Sequence, residues 1–322
     1  MKVKFWGTRG SLPVSLSAMD VRAKLVQAVQ LAQGRDLRAS GAVAAFVDGL
    51  NFDDGGTFGG NTSCVQIDLE EFAVPNEHLI LDMGSGLRVL GQSLMQRCAV
   101  AGPQTFHFFM SHLHWDHIMG LPFFTPAYLP GNRVVVHTCH AQAELALRRQ
   151  QDPPSFPVAF DRLGAKIEFD FLQAGQTTQI AGMAVTTHHQ RHAGDSYGWR
   201  FDCQGKRLVY TTDSEHRVEL DDERHAFIQF FANADMVVFD AMYSLAEAIS
   251  VKEDWGHSSN IVGVELCQAA RVRKLVLFHH EPGYTDRQIQ QVLLDTRRYE
   301  ELMRDGHTLQ VDAAWDSLVL VV

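Results

Sequence analysis

Residues Phe109–Pro122 read FMSHLHWDHIMGLP, and within them His112, His114, Asp116 and His117 form H-x-H-x-D-H at the end of an apolar run. Imidazole and carboxylate are the nitrogen and oxygen donors that zinc and related divalent ions accept, so this density of donors on one short turn marks a metal site. Four donors within six residues crowd a single ion, whereas two ions ~3.5–4 Å apart divide them without strain. The cluster therefore predicts a pair of metals.

Outward from this stretch the chain repeats one pattern, a short apolar or alternating run followed by a polar residue. Lys2–Trp6, Cys64–Leu69, His78–Asp82, Thr105–Met110, Arg133–His137, Met183–Thr187, Trp199–Phe201, Arg207–Tyr210, Met236–Asp240 and Lys274–His279 read as strands. Helical spacing predicts Gly86–Arg97, Ala141–Arg149, Asn260–Arg271 and Asp286–Arg304, the last with Thr285 at its N-cap and Gly306 just beyond its end. With no fixed-period repeat, low-complexity tract or linker, the reading is one strand-rich α/β domain over residues 1–322. One stretch looks inserted. From Val14 to Thr57, Val21, Leu25, Ala28, Val29 and Ala32 fall at helical spacing after Asp20, ahead of the run NFDDGGTFGGN. A lid or a dimer contact is expected of it, and the competing reading is a plain surface excursion.

The 322 residues are 46% hydrophobic and 20% charged, the balance of a soluble enzyme with a sizeable core. A net charge of −10 argues against binding nucleic acid through the overall surface. Cys64, Cys98, Cys139, Cys203 and Cys267 are too scattered for a disulfide framework or a CxxC module, which fits a reducing cytoplasm. The opening MKVKFWGTRGS has no apolar signal core, and no run approaches the ~18–20 apolar residues that cross a bilayer. The expectation is a cytoplasmic protein with no membrane partner.

Other polar residues after apolar runs complete the candidate site. Asp82, in LILDMGSG, is placed to hold the second N–H of a metal-bound histidine; the competing role is a cap on the Gly86 helix. Asp213, in LVYTTDSEH, is placed to bridge two metals through its two oxygens, or else to cap a turn, while Glu215 and His216 read as loop residues. In HHQRHAGDSYGWRF the spacing does not choose among His188, His189 and His192. His279 and His280 follow the strand KLVLF, where alternation turns one inward and one outward, so one of the two is a ligand. His257, in DWGHSSN, suits a general acid, since imidazole holds a proton near neutral pH, with Ser258 and Ser259 as caps for the helix that follows.

Taken in order, Asp82, the motif at His112–His117, His192, Asp213 and His279 resemble the ordered motifs of the metallo-β-lactamase superfamily. GTRGS at Gly7–Ser11, GGNTSC at Gly59–Cys64 and HAGDSYGWRF at His192–Phe201 resemble the branch that holds tRNase Z and the phosphoribosyl cyclic phosphodiesterases. The resemblance implies an α/β four-layered αβ/βα sandwich. It also implies His112, His114 and His192 on one metal, Asp116, His117 and His279 on the other, Asp213 bridging, and Asp82 behind them. His192 is preferred over its neighbours because it stands six residues before Gly198-Trp199-Arg200, and His279 because it directly follows the strand. GHSS, from Gly256 to Ser259, resembles the G-H-S-T signature whose histidine assists the leaving group, which makes His257 catalytic beside Asp116. The long glycine- and proline-rich arm with which tRNase Z grips tRNA is not found, so tRNA and bulk nucleic acid are disfavoured.

The expected function is hydrolysis of a small or cyclic, nucleotide-like phosphodiester by a hydroxide bridging two divalent ions. Zinc comes first among them, and manganese or iron is acceptable. His257 protonates the departing oxygen, and Arg9 or Arg200 is a candidate to orient the phosphate, with a structural ion-pair arginine as the competing role of each. Two other readings stand beside it: a thioester or lactone hydrolase on the same binuclear site, and a non-catalytic metal-binding sensor. A second copy of the chain is the one protein partner expected.

Overall fold

The computed structural model describes residues 1–216, 221–243 and 257–322. Two seven-stranded sheets stack face to face. The first has the order β14-β1-β2-β3-β4-β5-β6, built from β1 (Lys2–Gly7), β2 (Cys64–Asp68), β3 (Glu77–Leu81), β4 (Thr105–Phe109), β5 (Arg133–Thr138), β6 (Lys166–Phe171) and β14 (Val319–Val321). The second has the order β13-β12-β11-β10-β9-β8-β7, from β7 (Thr177–Ile180), β8 (Met183–Gln190), β9 (Ser196–Cys203), β10 (Lys206–Thr211), β11 (Met236–Asp240), β12 (Lys274–Phe278) and β13 (Gln310–Ala313).

Helices cover both outer faces, as apolar residues at helical spacing require. On the first sheet, α4 (Gly86–Ala101) buries Leu87, Leu90, Leu94 and Cys98 against Ile80, Phe106 and Phe108. On the second sheet lie α7 (Asp221–Phe231), α8 (Asn260–Ala269) and α9 (Asp286–Met303), the last capped by Thr285 and burying Ile289 and Leu293. Between the sheets, Phe5, Val65, Leu81, Phe109, Trp199, Phe201, Tyr210 and Phe278 interdigitate. The expected four-layered αβ/βα sandwich is the one formed. Of the remaining helices, α1 (Ala18–Leu31), α2 (Ala42–Asp48) and α3 (Phe52–Gly55) lie between β1 and β2, α5 (Trp115–Ile118) is a single turn after β4, and α6 (Ala143–Arg149) follows β5.

The register lines the strand ends up. In the parallel ladders Leu81 pairs with Phe109 and Phe109 with His137. In the other sheet Thr211 pairs with Phe239 and Asp240 with Phe278. The residues just past β3, β4, β10 and β12 therefore emerge at one end of the sandwich, where α/β sheets present their ligand sites. Four strands escape the sequence reading, namely β6, β7, β13 and β14, together with the helices α2, α3, α5 and α7. The first three strands mix charged or polar residues into the ladder, as in the KIEFDF of β6, and all four carry no long apolar run because each closes an edge or a near-edge position.

Candidate active site

Three residues that leave a strand for the site do so through a left-handed backbone turn: Asp82 (φ 56°), Asp213 (φ 50°) and His279 (φ 59°). Non-glycine residues held there cost of order 1–3 kcal/mol each, and such strain gathers at functional sites. Asp82 is fully buried and is not a helix cap. Its carboxylate accepts from the Ser111 backbone N–H at 2.7 Å, the Ser111 hydroxyl at 2.7 Å, the Tyr210 hydroxyl at 2.8 Å and His117 Nδ1 at 2.8 Å. That last bond leaves His117 Nε2 to face the cluster.

The donors converge in two overlapping groups. His117 Nε2 lies 3.1 Å from Asp213 Oδ2 and 3.3 Å from Asp116 Oδ2 and from His279 Nε2. His279 Nε2 in turn is 3.3 Å from both carboxylate oxygens. In the second group, His192 Nε2 is 3.1 Å from His114 Nδ1, and Asp213 Oδ1 is 3.6 Å from His112 Nε2 and 3.7 Å from His192 Nε2. Asp213 thus turns one oxygen to each group. The arrangement fits divalent cations: donors ~2.0 Å from a tetrahedral ion sit ~3.3 Å apart, and His112 Nε2 is buried with no hydrogen-bond partner among the described residues.

Electrostatics point the same way. Burial holds the His112 imidazole well below its ordinary range, so it stays neutral. For His117 burial opposes the charge, yet Asp116, Asp213 and Asp82 outweigh it and raise the pKa well above normal. Burial likewise works against the Asp116 and Asp213 carboxylates, but the surrounding imidazoles hold both below the usual carboxylate range.

Three sequence stretches frame these donors. In GTRGS, the Ser11 N–H donates to Asp116 Oδ2 at 2.8 Å, and a Cβ on Gly10 would come within 2.6 Å of the His279 ring. In GGNTSC, the Thr62 hydroxyl donates to the Asp116 carbonyl at 2.7 Å. A Cβ on Gly84 would meet that same carbonyl at 2.5 Å, so the turn after β3 needs a glycine there.

His257 and Asp240 form the third part. His257 Nδ1 donates to Asp240 Oδ2 at 2.8 Å, and its ring lies between those of His192 and His279, with centroids 5.2 Å from each. Burial pushes this imidazole down, but the charge and hydrogen bond of Asp240 prevail and hold it up at about 9. Donor atoms of His257 also come within 4.8 Å of those of Asp213 and His192, and of Asp240 and His279. Asp240 escapes the sequence reading, although it carries the same signal as Asp82 and Asp213, a carboxylate at the end of the apolar run MVVF. Gly256, which opens GHSS, lies outside the described residues; Ser259 caps α8 through the Val262 N–H.

Several candidates stand apart from the cluster. His188 packs on Phe227 and Phe230, and His189 pairs with Asp195 at 3.0 Å. His280 is buried on the Ala314 carbonyl at 2.8 Å, and His216 packs among Phe227, Phe231 and Phe239. Arg9 and Arg200, each read as a phosphate-orienting candidate or a structural ion-pair arginine, make structural contacts. Arg9 is buried and donates to the carbonyls of Gly59, Glu281 and Tyr284 at 2.9–3.1 Å. It clamps loops, and Arg200 is paired with Asp202 at 3.0 Å.

Residues 80–280, which span every donor above, match the family model described as the beta-lactamase superfamily domain. The chain belongs to the beta-lactamase superfamily. Within this superfamily, its relatives lie on the phosphodiesterase branch. A ribonuclease BN of Erwinia tasmaniensis is 22% identical over 281 residues, covering 74% of this chain and 89% of that protein. A ribonuclease Z of Thermoplasma acidophilum is 33% identical over 97 residues, which is 30% of this chain and only 28% of the relative's length. Among solved structures, a diphosphatase of the PhnP family superposes with a TM-score of 0.57 at 16% identity, over 100% of this chain and 97% of that one, and shares the fold. This superfamily member is a hydrolytic enzyme by family, and its His/Asp cluster suits divalent metal.

Proposed function

We propose that this chain hydrolyses a small phosphodiester, cyclic or nucleotide-like, on two divalent ions, zinc foremost. The observation that carries the reading is Asp213, whose two carboxylate oxygens face the two donor groups separately. His112, His114 and His192 would hold one ion and Asp116, His117 and His279 the other, with Asp213 placed to serve both. Bound divalent ions supply a water of lowered pKa and stabilise charge on the phosphoryl oxygens.

The chain's own residues do the rest. Asp82 fixes the His117 ring by its Nδ1–H, and the Ser11 N–H fixes Asp116, so the donors are aimed before any cation arrives. Asp240 holds His257 at Nδ1, which leaves the Nε2 proton for the departing oxygen.

Because two relatives are named as ribonucleases, RNA is the competing substrate. Charge weighs against it. A nucleic-acid track needs cations to meet successive phosphates, but Arg9 is enclosed, Arg200 faces Asp202 and Arg191 faces Glu223, in a chain of net charge −10. A single diester asks for the metal centre alone.

The test compares bis(p-nitrophenyl) phosphate, a structured RNA and a chromogenic thioester with metal-loaded protein, alongside Asp213→Ala. Rapid turnover of the diester, slow turnover of the others, and joint loss of metal and activity in the variant are expected. Full activity in metal-free Asp213→Ala protein would sink the assignment, and preference for the thioester would move the reaction to a carbonyl carbon.

A further inference from the structure

We infer that Ser111 is a positioning residue: through its hydroxyl, Asp82 orients His112 as well as His117. Ser111 stands just past β4, immediately before the donor-rich turn, and is fully buried. Its main chain is pinned from both sides. The N–H donates to Asp82 Oδ1 at 2.7 Å, and the carbonyl accepts from the Tyr197 N–H at 2.9 Å and from His140 Nε2 at 3.2 Å. The hydroxyl is thereby held in one place, 2.7 Å from Asp82 Oδ2 and 3.1 Å from His112 Nδ1.

Proton counting sets the direction of each bond. A hydroxyl carries one proton, and a carboxylate only accepts. Asp82 also receives the Tyr210 hydroxyl and the His117 Nδ1–H, so the 2.7 Å contact is a bond only if the Ser111 proton is spent there. Toward His112 the same oxygen then offers lone pairs alone, and the proton between them belongs to His112 Nδ1. His117 Nδ1, 3.4 Å from the hydroxyl, already gives its proton to Asp82. A neutral imidazole with its proton on Nδ1 has its lone pair on Nε2. That is the buried His112 atom with no hydrogen-bond partner among the described residues, 3.6 Å from Asp213 Oδ1.

The inference rests on the two-ion reading above and adds a coupling to it. His117 belongs to one donor group and is held by Asp82 directly. His112 belongs to the other and is held by the same carboxylate through the Ser111 hydroxyl. One buried charge therefore presets a ligand in each group. Alanine at position 111 keeps the main-chain bonds and removes the link alone. Partners that orient a metal-binding histidine in this way change metal affinity by about 10–100-fold.

The test reads the proton first and the metal second. In metal-free full-length protein labelled with heavy nitrogen in histidine, long-range proton–nitrogen NMR spectra distinguish the two tautomers of each ring, and His112→Gln identifies the His112 signals. The native chain should carry the His112 proton on Nδ1, Ser111→Ala should lose that preference, and Ser111→Thr should restore it. Tyr210→Phe takes a donor from Asp82 but no acceptor from His112, so there the tautomer should persist. Calorimetric titration with zinc should show one of two ions weakened about 10–100-fold in Ser111→Ala. A native His112 proton on Nε2 overturns the proposal without reference to metal, as does a Ser111→Ala protein with native tautomer and native zinc affinities. An equal tautomer shift in Tyr210→Phe also overturns it, by reducing Ser111 to general support of Asp82. A native chain that takes up one zinc, with the His112 proton on Nδ1, would support the link and count against the two-ion reading alone.

Discussion

His257 and Asp240 show how one side chain sets the task of another. An imidazole 2.8 Å from a buried carboxylate keeps its proton at neutral pH, which is the state a general acid needs. His257→Ala should therefore lower turnover by about 10²–10⁴-fold on diesters with alkyl leaving groups while metal content, read by atomic emission, is unchanged. p-Nitrophenolate departs without a proton, so the loss on its ester should be far smaller. Asp240→Asn should reproduce the pattern more weakly, and equal losses on both ester types would refute the acid role. Of these two residues, His257 was legible from its surroundings in sequence and Asp240 was not. A lone carboxylate closing an apolar strand does not announce a partner that lies 17 positions further along the chain.

At the scale of elements, the junction between β10 and α7 stores a pH response. His216 is enclosed by Phe227 and Phe239, and burial drives its pKa down to about 3 against the ordinary 6.5. A group neutral in the fold but able to protonate when unfolded contributes stability that is complete above pH 6.5 and is lost as pH falls towards 3. Urea midpoints of His216→Phe should decline less than those of the native chain across that interval, and parallel slopes would exclude His216 as a source. His280, also lowered to about 3 by burial, acts in the same direction and remains in the variant. Central strands such as β11 and β12 were legible because both faces are buried and every residue is apolar or strand-terminal. Edge strands β7 and β14 were not, since one open side removes the requirement for an apolar run.

Across the whole molecule, fold and cation are coupled through the donors. His117 holds a proton that a cation must displace, so metal affinity should fall as pH is lowered, and binding should release protons into a weak buffer. Stripping the metal should also lower the melting temperature, because a ligand at about a hundred times its Kd stabilises the fold by about 2.7 kcal/mol. Calorimetry with and without chelator measures both effects, and a pH-independent affinity would contradict the assignment of His117.

By itself the sequence determined the donor-rich turn at His112–His117, the apolar runs that become the central strands, and the superfamily, because ligand chemistry and hydrophobic periodicity are local properties. Spacing alone left open which of His188, His189 and His192, and which of His279 and His280, reaches the cluster; the resemblance pointed to His192 and His279, and the tertiary structure brings those two there. It also decided that Arg9 clamps loops and that Asp240 holds His257. Those outcomes depend on parallel registers and left-handed turns that bring residues as far apart in sequence as Asp82 and His279 to one end of the sandwich. No spacing along the chain encodes that distance in space.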